Sequence, residues 1–134
     1  EVLLPASLEF PRALDERAGR RHRWIAGLTW RGEGAIPGRP ALVDVATGTL
    51  IEAPTAAETW AGELVPVPKA ERADERDVWL LSVVLDARAG ASELQIFDGA
   101  ALTAGPIARA RLPHVMPLGF HGSWVADGAL TRPR

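Results

Sequence analysis

Glycine and proline interrupt this chain too often for long helices. There are 13 glycines and 11 prolines in 134 residues, about one residue in six, where ordinary usage puts the two together at roughly 12%. Between the breaks lie short runs rich in β-branched and aromatic residues, and several of them alternate apolar with polar. Trp24-Ile25-Ala26-Gly27-Leu28-Thr29-Trp30 reads as a strand. Ala41-Leu42-Val43-Asp44-Val45 and Thr49-Leu50-Ile51-Glu52 flank Ala46-Thr47-Gly48, a hairpin signal. Residues 60–67 read as one strand, and residues 78–85 as a nearly continuous apolar strand buried on both faces. In residues 92–98, Leu94 and Ile96 face one way and Glu93 and Gln95 the other. Residues 99–105 have room for one helical turn. Residues 107–112 alternate again, with Arg109 and Arg111 on the wet side, and residues 120–125 read as a last short strand. The tail after Asp127 is expected to fray.

Strands joined by short turns at spacings near ten residues make an all-β antiparallel meander: a sandwich, a barrel or a propeller. A propeller blade takes about 40–50 residues, so this length holds about three blades, and a closed ring needs at least four.

Charge and residue usage exclude several functions. Lys plus Arg number 15 against 17 Asp plus Glu, a net charge of -2. That balance argues against nucleic acid as a partner. The basic stretch at residues 17–23 is broken by Gly19 and reads as a solvated loop. There is no cysteine, hence no disulfide and no thiolate metal site. No apolar run approaches the ~18 residues of a membrane span. No signal peptide is visible, so a cytoplasmic location is expected. The chain opens at Glu1 and its only methionine is Met116, which reads as a processed or truncated piece.

No nucleophile elbow, phosphate loop, dinucleotide fingerprint or paired metal motif is present. The histidines are His22, His114 and His121, too scattered for a self-contained metal site. His121 stands out because Gly119 and Gly122 flank it, and strand alternation would turn it away from the anchors Phe120 and Trp124. Its bland reading is a hydrogen-bonded core histidine. Glu9, between Leu8 and Phe10, and Glu63, within residues 60–68, are carboxylates in apolar surroundings. Each either faces solvent or accepts a hydrogen bond inside, and the spare N–H of a metal-bound imidazole is a common donor to such a group.

Pro117-Leu118-Gly119-Phe120-His121-Gly122-Ser123-Trp124 resembles the closing motif of the carotenoid cleavage oxygenases, the non-haem iron family that includes lignostilbene dioxygenases and retinoid isomerases. Asp77 with Val78-Trp79-Leu80-Leu81-Ser82, the segment Ser92 to Asp98, Gly105-Pro106, Glu9-Phe10-Pro11-Arg12 and Gly62-Glu63 resemble further blocks of that family, in order along nearly the whole chain. Leu64 stands where the family has proline after Gly-Glu, Pro66 where an aromatic is common, and Val78 where glycine precedes tryptophan.

The resemblance implies a seven-bladed β-propeller with Fe(2+) on its axis, held by four histidines backed by three glutamates. It makes residues 1–134 the C-terminal part of that domain, about three blades. His121 resembles the last iron ligand, and Glu9 and Glu63 resemble two of the glutamates behind the ligands. His22 and His114 match no ligand position. The implied reaction splits a C=C bond of an apolar polyene, apocarotenoid or stilbene with O2 into two carbonyl products.

The implied partners are that substrate, O2 and the N-terminal remainder of the propeller, with membrane contact only through upstream segments. Alone, the chain is expected to be inactive and to expose strand edges. The alternatives are a non-catalytic propeller module that has lost the iron, and a β-sandwich in which His121 is a core residue.

Overall fold

The structure, a computed structural model, describes residues 6–30, 38–70 and 74–125. Among the described residues, nine strands form two antiparallel sheets. The first sheet is a four-stranded meander of β1 (Ser7–Arg12), β2 (Trp24–Trp30), β3 (Arg39–Asp44) and β4 (Thr49–Glu52), in that order. The second contains β5 (Thr59–Ala61), β6 (Val65–Pro68), β7 (Val78–Asp86), β8 (Ala91–Asp98) and β9 (Pro106–Arg111). Both β5 and β6 pair with β7, Trp60 opposite Leu85 and Pro66 opposite Leu80, so they are two halves of one interrupted strand. The second sheet is therefore also four strands wide.

Two such sheets stand where the length arithmetic placed about three. The difference lies in the connections. Residues 13–23, 69–70, 74–77 and 112–125 spend chain outside the ladders. The run 60–67, expected as one strand, breaks at Gly62, Glu63 and Leu64. The helical turn expected within 99–105 is a single 3-10 turn, Leu102–Ala104. The frayed tail expected after Asp127 lies outside the described residues.

The sheets pack face to face. Leu42, Leu64, Leu80, Phe97 and Leu102 form the main cluster between them, each 3% exposed or less. Burying a side chain of this size stabilises by about 1.5–3 kcal/mol. Leu64 and Val78, two departures from the family pattern, are both core residues at 0% and 1%.

One face of the second sheet meets the first sheet; the other does not. Val78, Leu80, Ser82 and Val84 are buried, while Trp79 and Val83 between them are more than a third exposed. The expectation that β7 is buried on both faces is thus corrected: the segment 112–125 and, at Trp79, Lys69 lie across its outer face and leave it partly exposed. The period in β8 is as read, with a consequence the period alone does not reveal. Gln95 and Phe97 turn into the inter-sheet layer, and Leu94 and Ile96 sit half-buried on the outer face.

The hairpin between β3 and β4 turns on Asp44. Its Oδ1 accepts the Ala46 N–H at 3.0 Å, and its backbone carbonyl accepts the Gly48 N–H at 2.8 Å. The same carboxylate takes Arg23 Nε at 2.8 Å and Nη2 at 2.6 Å. The Arg23 hydrogen bonds therefore hold the Asp44 carboxyl far below the usual carboxylate range, against the opposing effect of burial. A lowered pKa of this kind stabilises the fold above the unfolded carboxylate value of about 3.9, and that stability is lost as pH falls. Asp44→Asn is expected to lower the unfolding temperature at neutral pH and to flatten its fall on acidification. Parallel curves for the two proteins in a pH series of thermal melts would contradict this assignment.

Candidate functional site

The site forms where three distant segments meet beside the first strand of each sheet. The interruption between β5 and β6 supplies Glu63. Gly62 donates its N–H to the Val83 carbonyl at 2.8 Å, and its own carbonyl accepts the Ser82 hydroxyl at 2.8 Å. A Cβ on Gly62 would lie 3.0 Å from the Val83 oxygen, so glycine permits this close approach. Both backbone groups of Gly62 are thus spent on β7, and the chain turns Glu63 out of the ladder and Leu64 into the core.

The Glu63 side chain is 4% exposed and accepts three donors. Gly122 N–H reaches Oε2 at 2.7 Å, His121 Nδ1 reaches Oε1 at 3.1 Å, and Arg12 Nη1 reaches Oε1 at 3.3 Å. Burial pushes this carboxyl up. The hydrogen bonds from Gly122 and His121, with the positive Arg12, outweigh burial and hold it below the usual range. An ionised carboxylate only accepts, so in the neutral ring Nδ1 carries the proton and Nε2 keeps its lone pair. The His121 side chain is 71% exposed.

Residues 120–125, expected as a strand, belong to no sheet. A strand needs a neighbouring ladder, and here side chains take that place. Besides the Gly122–Glu63 bond, the Gly122 carbonyl accepts Arg12 Nη1 at 3.1 Å, and Met116 N–H donates to Ser92 Oγ at 2.9 Å. Between this segment and the outer face of the second sheet is a cavity of about 350 Å³, bounded by Leu81, Val83 and Leu94 on one side and Met116, Leu118 and Trp124 on the other.

Of the three residues singled out from sequence, the structure joins His121 and Glu63. Glu9 lies elsewhere, half-buried on β1 opposite Leu28, with no side-chain partner among the described residues. Its backbone is pressed against β2, where a Cβ on Gly27 would sit 3.0 Å from the Glu9 carbonyl oxygen. His22 is half-buried with Nδ1 bonded to the Arg20 carbonyl at 3.2 Å, and His114 is exposed. No group of three metal-binding side chains occurs among the described residues.

Sequence reasoning missed Arg12 and the Gly122 N–H. The Glu-Phe-Pro-Arg block contained the signal for Arg12, but nothing local indicates that it reaches residue 122.

The donor chemistry fits one ligand of a transition metal. A neutral imidazole with its inner nitrogen on a carboxylate and its outer nitrogen free is the usual arrangement of a metal-bound histidine. It does not make a complete site.

A sequence profile of the Retinal pigment epithelial membrane protein family matches residues 1–126, and the chain belongs to that family. It is 33% identical over 126 residues to apocarotenoid-15,15'-oxygenase of Synechocystis sp., covering 92% of this chain and 26% of that protein. It is 33% identical over 129 residues to a carotenoid dioxygenase of Neurospora crassa, covering 96% of this chain and 21% of that one. Among solved structures, lignostilbene dioxygenase of Pseudomonas brassicacearum superposes with a TM-score of 0.86 at 26% identity, over 93% of this chain and 28% of that chain. Cobalt-substituted Synechocystis ACO superposes at 0.85 and 31% identity, over 93% and 26%. The all-β fold is that of the β-propeller carotenoid oxygenases. The chain spans about a quarter of the length of these relatives. No helix among the described residues is long and apolar enough to cross a membrane.

Proposed function

We propose that this chain is the C-terminal part of a non-haem Fe(II) oxygenase that splits a C=C double bond of an apocarotenoid, polyene or stilbene with O2, and that His121 is the iron ligand it contributes. The observation that carries the reading is the His121–Glu63 pair, 3.1 Å apart, in a chain of this family. The substrate classes follow the names of the relatives, an apocarotenoid oxygenase and a lignostilbene dioxygenase.

Iron, when bound, would supply O2 activation, with neutral imidazole ligands leaving positions open. The rest is the work of this chain's own residues. Glu63 keeps the proton on Nδ1 and so leaves Nε2 as the donor. Gly122 N–H fixes the second carboxylate oxygen and stops the carboxylate from rotating. Phe10 packs edge-to-face on the His121 ring, 5.6 Å between centroids, which limits the ring's tilt. Glu9 is the acceptor for a histidine contributed from outside the chain, which accounts for a half-buried carboxylate with no partner among the described residues.

The outer face of the second sheet supports a further blade packing there. Leu81, Val83, Leu85 and Leu94 form an apolar surface under residues 112–125, and it continues to Trp79, which is 36% exposed beside Lys69. The reaction balances without a reductant: one alkene and one O2 give two carbonyl compounds.

The test uses the whole protein that carries this chain, loaded with iron and offered an apocarotenoid and a stilbene in separate assays. Cleavage of either into two carbonyl products with uptake of one O2 is the expected result. The chain alone is expected to bind no iron tightly. Tight iron binding and turnover by residues 1–134 alone would overturn the reading of an incomplete site. An iron-free whole protein that cleaves neither substrate would point to the non-catalytic propeller module.

A further inference from the structure

Strand β1 departs from regular pairing between Glu9 and Arg12, and within that irregularity Phe10 has a φ of 50°. A bulky residue at positive φ is uncommon and strained, so the surroundings must hold it. They do so through Leu28, Ala61 and Val84, against which Phe10 packs. The irregularity re-aims the end of β1, which is what such bulges do. It brings Arg12 onto residues 51 and 110 positions away.

One nitrogen of Arg12 makes two bonds there. Nη1 donates to Glu63 Oε1 at 3.3 Å and to the Gly122 carbonyl at 3.1 Å, while Nη2 lies 3.4 Å from Asp15 Oδ1. The guanidinium thereby ties the carboxylate that orients His121 to the backbone of the next residue. Residues 120–124 have no ladder bonds of their own. Without Arg12, the tie between this segment and Glu63 reduces to the Gly122 N–H and the imidazole.

We propose that Arg12 is a positioning residue for His121: by holding the Glu63 carboxylate and the Gly122 carbonyl in one geometry, it fixes which ring nitrogen His121 presents outward. A free neutral imidazole favours the proton on Nε2, so keeping it on Nδ1 needs an acceptor held in place. Lysine would supply the charge but not the planar fork that reaches both acceptors and Asp15 together. The inference rests on the proposed function only in naming iron as what the outward nitrogen meets.

The test is a nitrogen-15 spectrum of the histidine rings in the metal-free whole protein, at about pH 8, above the ordinary imidazole range. The parent protein is expected to show His121 with its proton on Nδ1 alone. Arg12→Gln is expected to raise the Nε2-protonated form to a comparable population, and Arg12→Lys to raise it less. A folded Arg12→Gln protein with the parent tautomer would overturn the proposal. If that variant does not fold, Arg12→Lys decides in the same way. Iron titration of the same samples should show about tenfold weaker binding in Arg12→Gln, at the lower end of losses for residues behind a ligand. A parent protein that binds no iron would sink the iron reading while leaving the tautomer result standing.

Discussion

His121→Ala in the whole protein is expected to abolish stoichiometric iron binding and, with it, cleavage of any alkene substrate. Residues that only support a ligand typically change metal affinity or activity by ~10–100-fold, so loss of a ligand itself should exceed the top of that range. The fold should survive. The His121 side chain is 71% exposed and belongs to neither core cluster. The variant should therefore unfold at nearly the parent temperature while its iron content collapses, and that separation distinguishes a ligand from the core histidine of the bland reading. A variant that keeps one tightly bound iron would remove His121 from the site.

Glu63→Gln carries the second large effect. The side chain keeps its size, so little packing is lost. Its two ends are no longer equivalent. The amide oxygen can accept from His121 and Arg12, but the amide nitrogen then faces the Gly122 N–H, donor against donor. Turned over, it faces two donors on the other side. Either way the buried amide nitrogen at position 63 faces a donor and finds no acceptor there, which costs about 1–3 kcal/mol. Iron affinity is expected to fall by ~10–100-fold, measured by titration against a competing chelator. Parent affinity in a folded Glu63→Gln protein would mean that the carboxylate does not orient the ring.

Both predictions rest on a site only half legible in the sequence. Strand β2 and the β3–β4 hairpin were plain because periodicity and turn chemistry are local. The alternation of residues 107–112 put Arg109 and Arg111 on a wet side, but every residue of β9 after Pro106 is exposed, Ile107 included, so neither side of this edge strand is dry. The break at Gly62 was not legible. An apolar run with one glycine reads as a continuous strand until Ser82 and Val83, about 20 residues on, claim both of its backbone groups.

Residues 120–125 failed for the opposite reason. Their composition suits a strand, but strand structure belongs to pairs, and here the partners are the side chains of Glu63 and Arg12. The resemblance to an iron oxygenase family pointed to His121 and Glu63 as separate residues with related roles. Their direct contact, and the guanidinium that completes it, needed the fold. Glu9 lies on the first strand of its sheet, and no histidine of this chain bonds its side chain among the described residues.

The proposed site has His121 Nε2 binding iron together with histidines beyond this chain. Anomalous diffraction at the iron edge, on crystals of the whole protein, is the decisive measurement. The expected result is a single iron peak at bonding distance from His121 Nε2, with Glu63 on Nδ1 and other histidines around the metal. An iron peak remote from His121, with its Nε2 open to solvent, would contradict it.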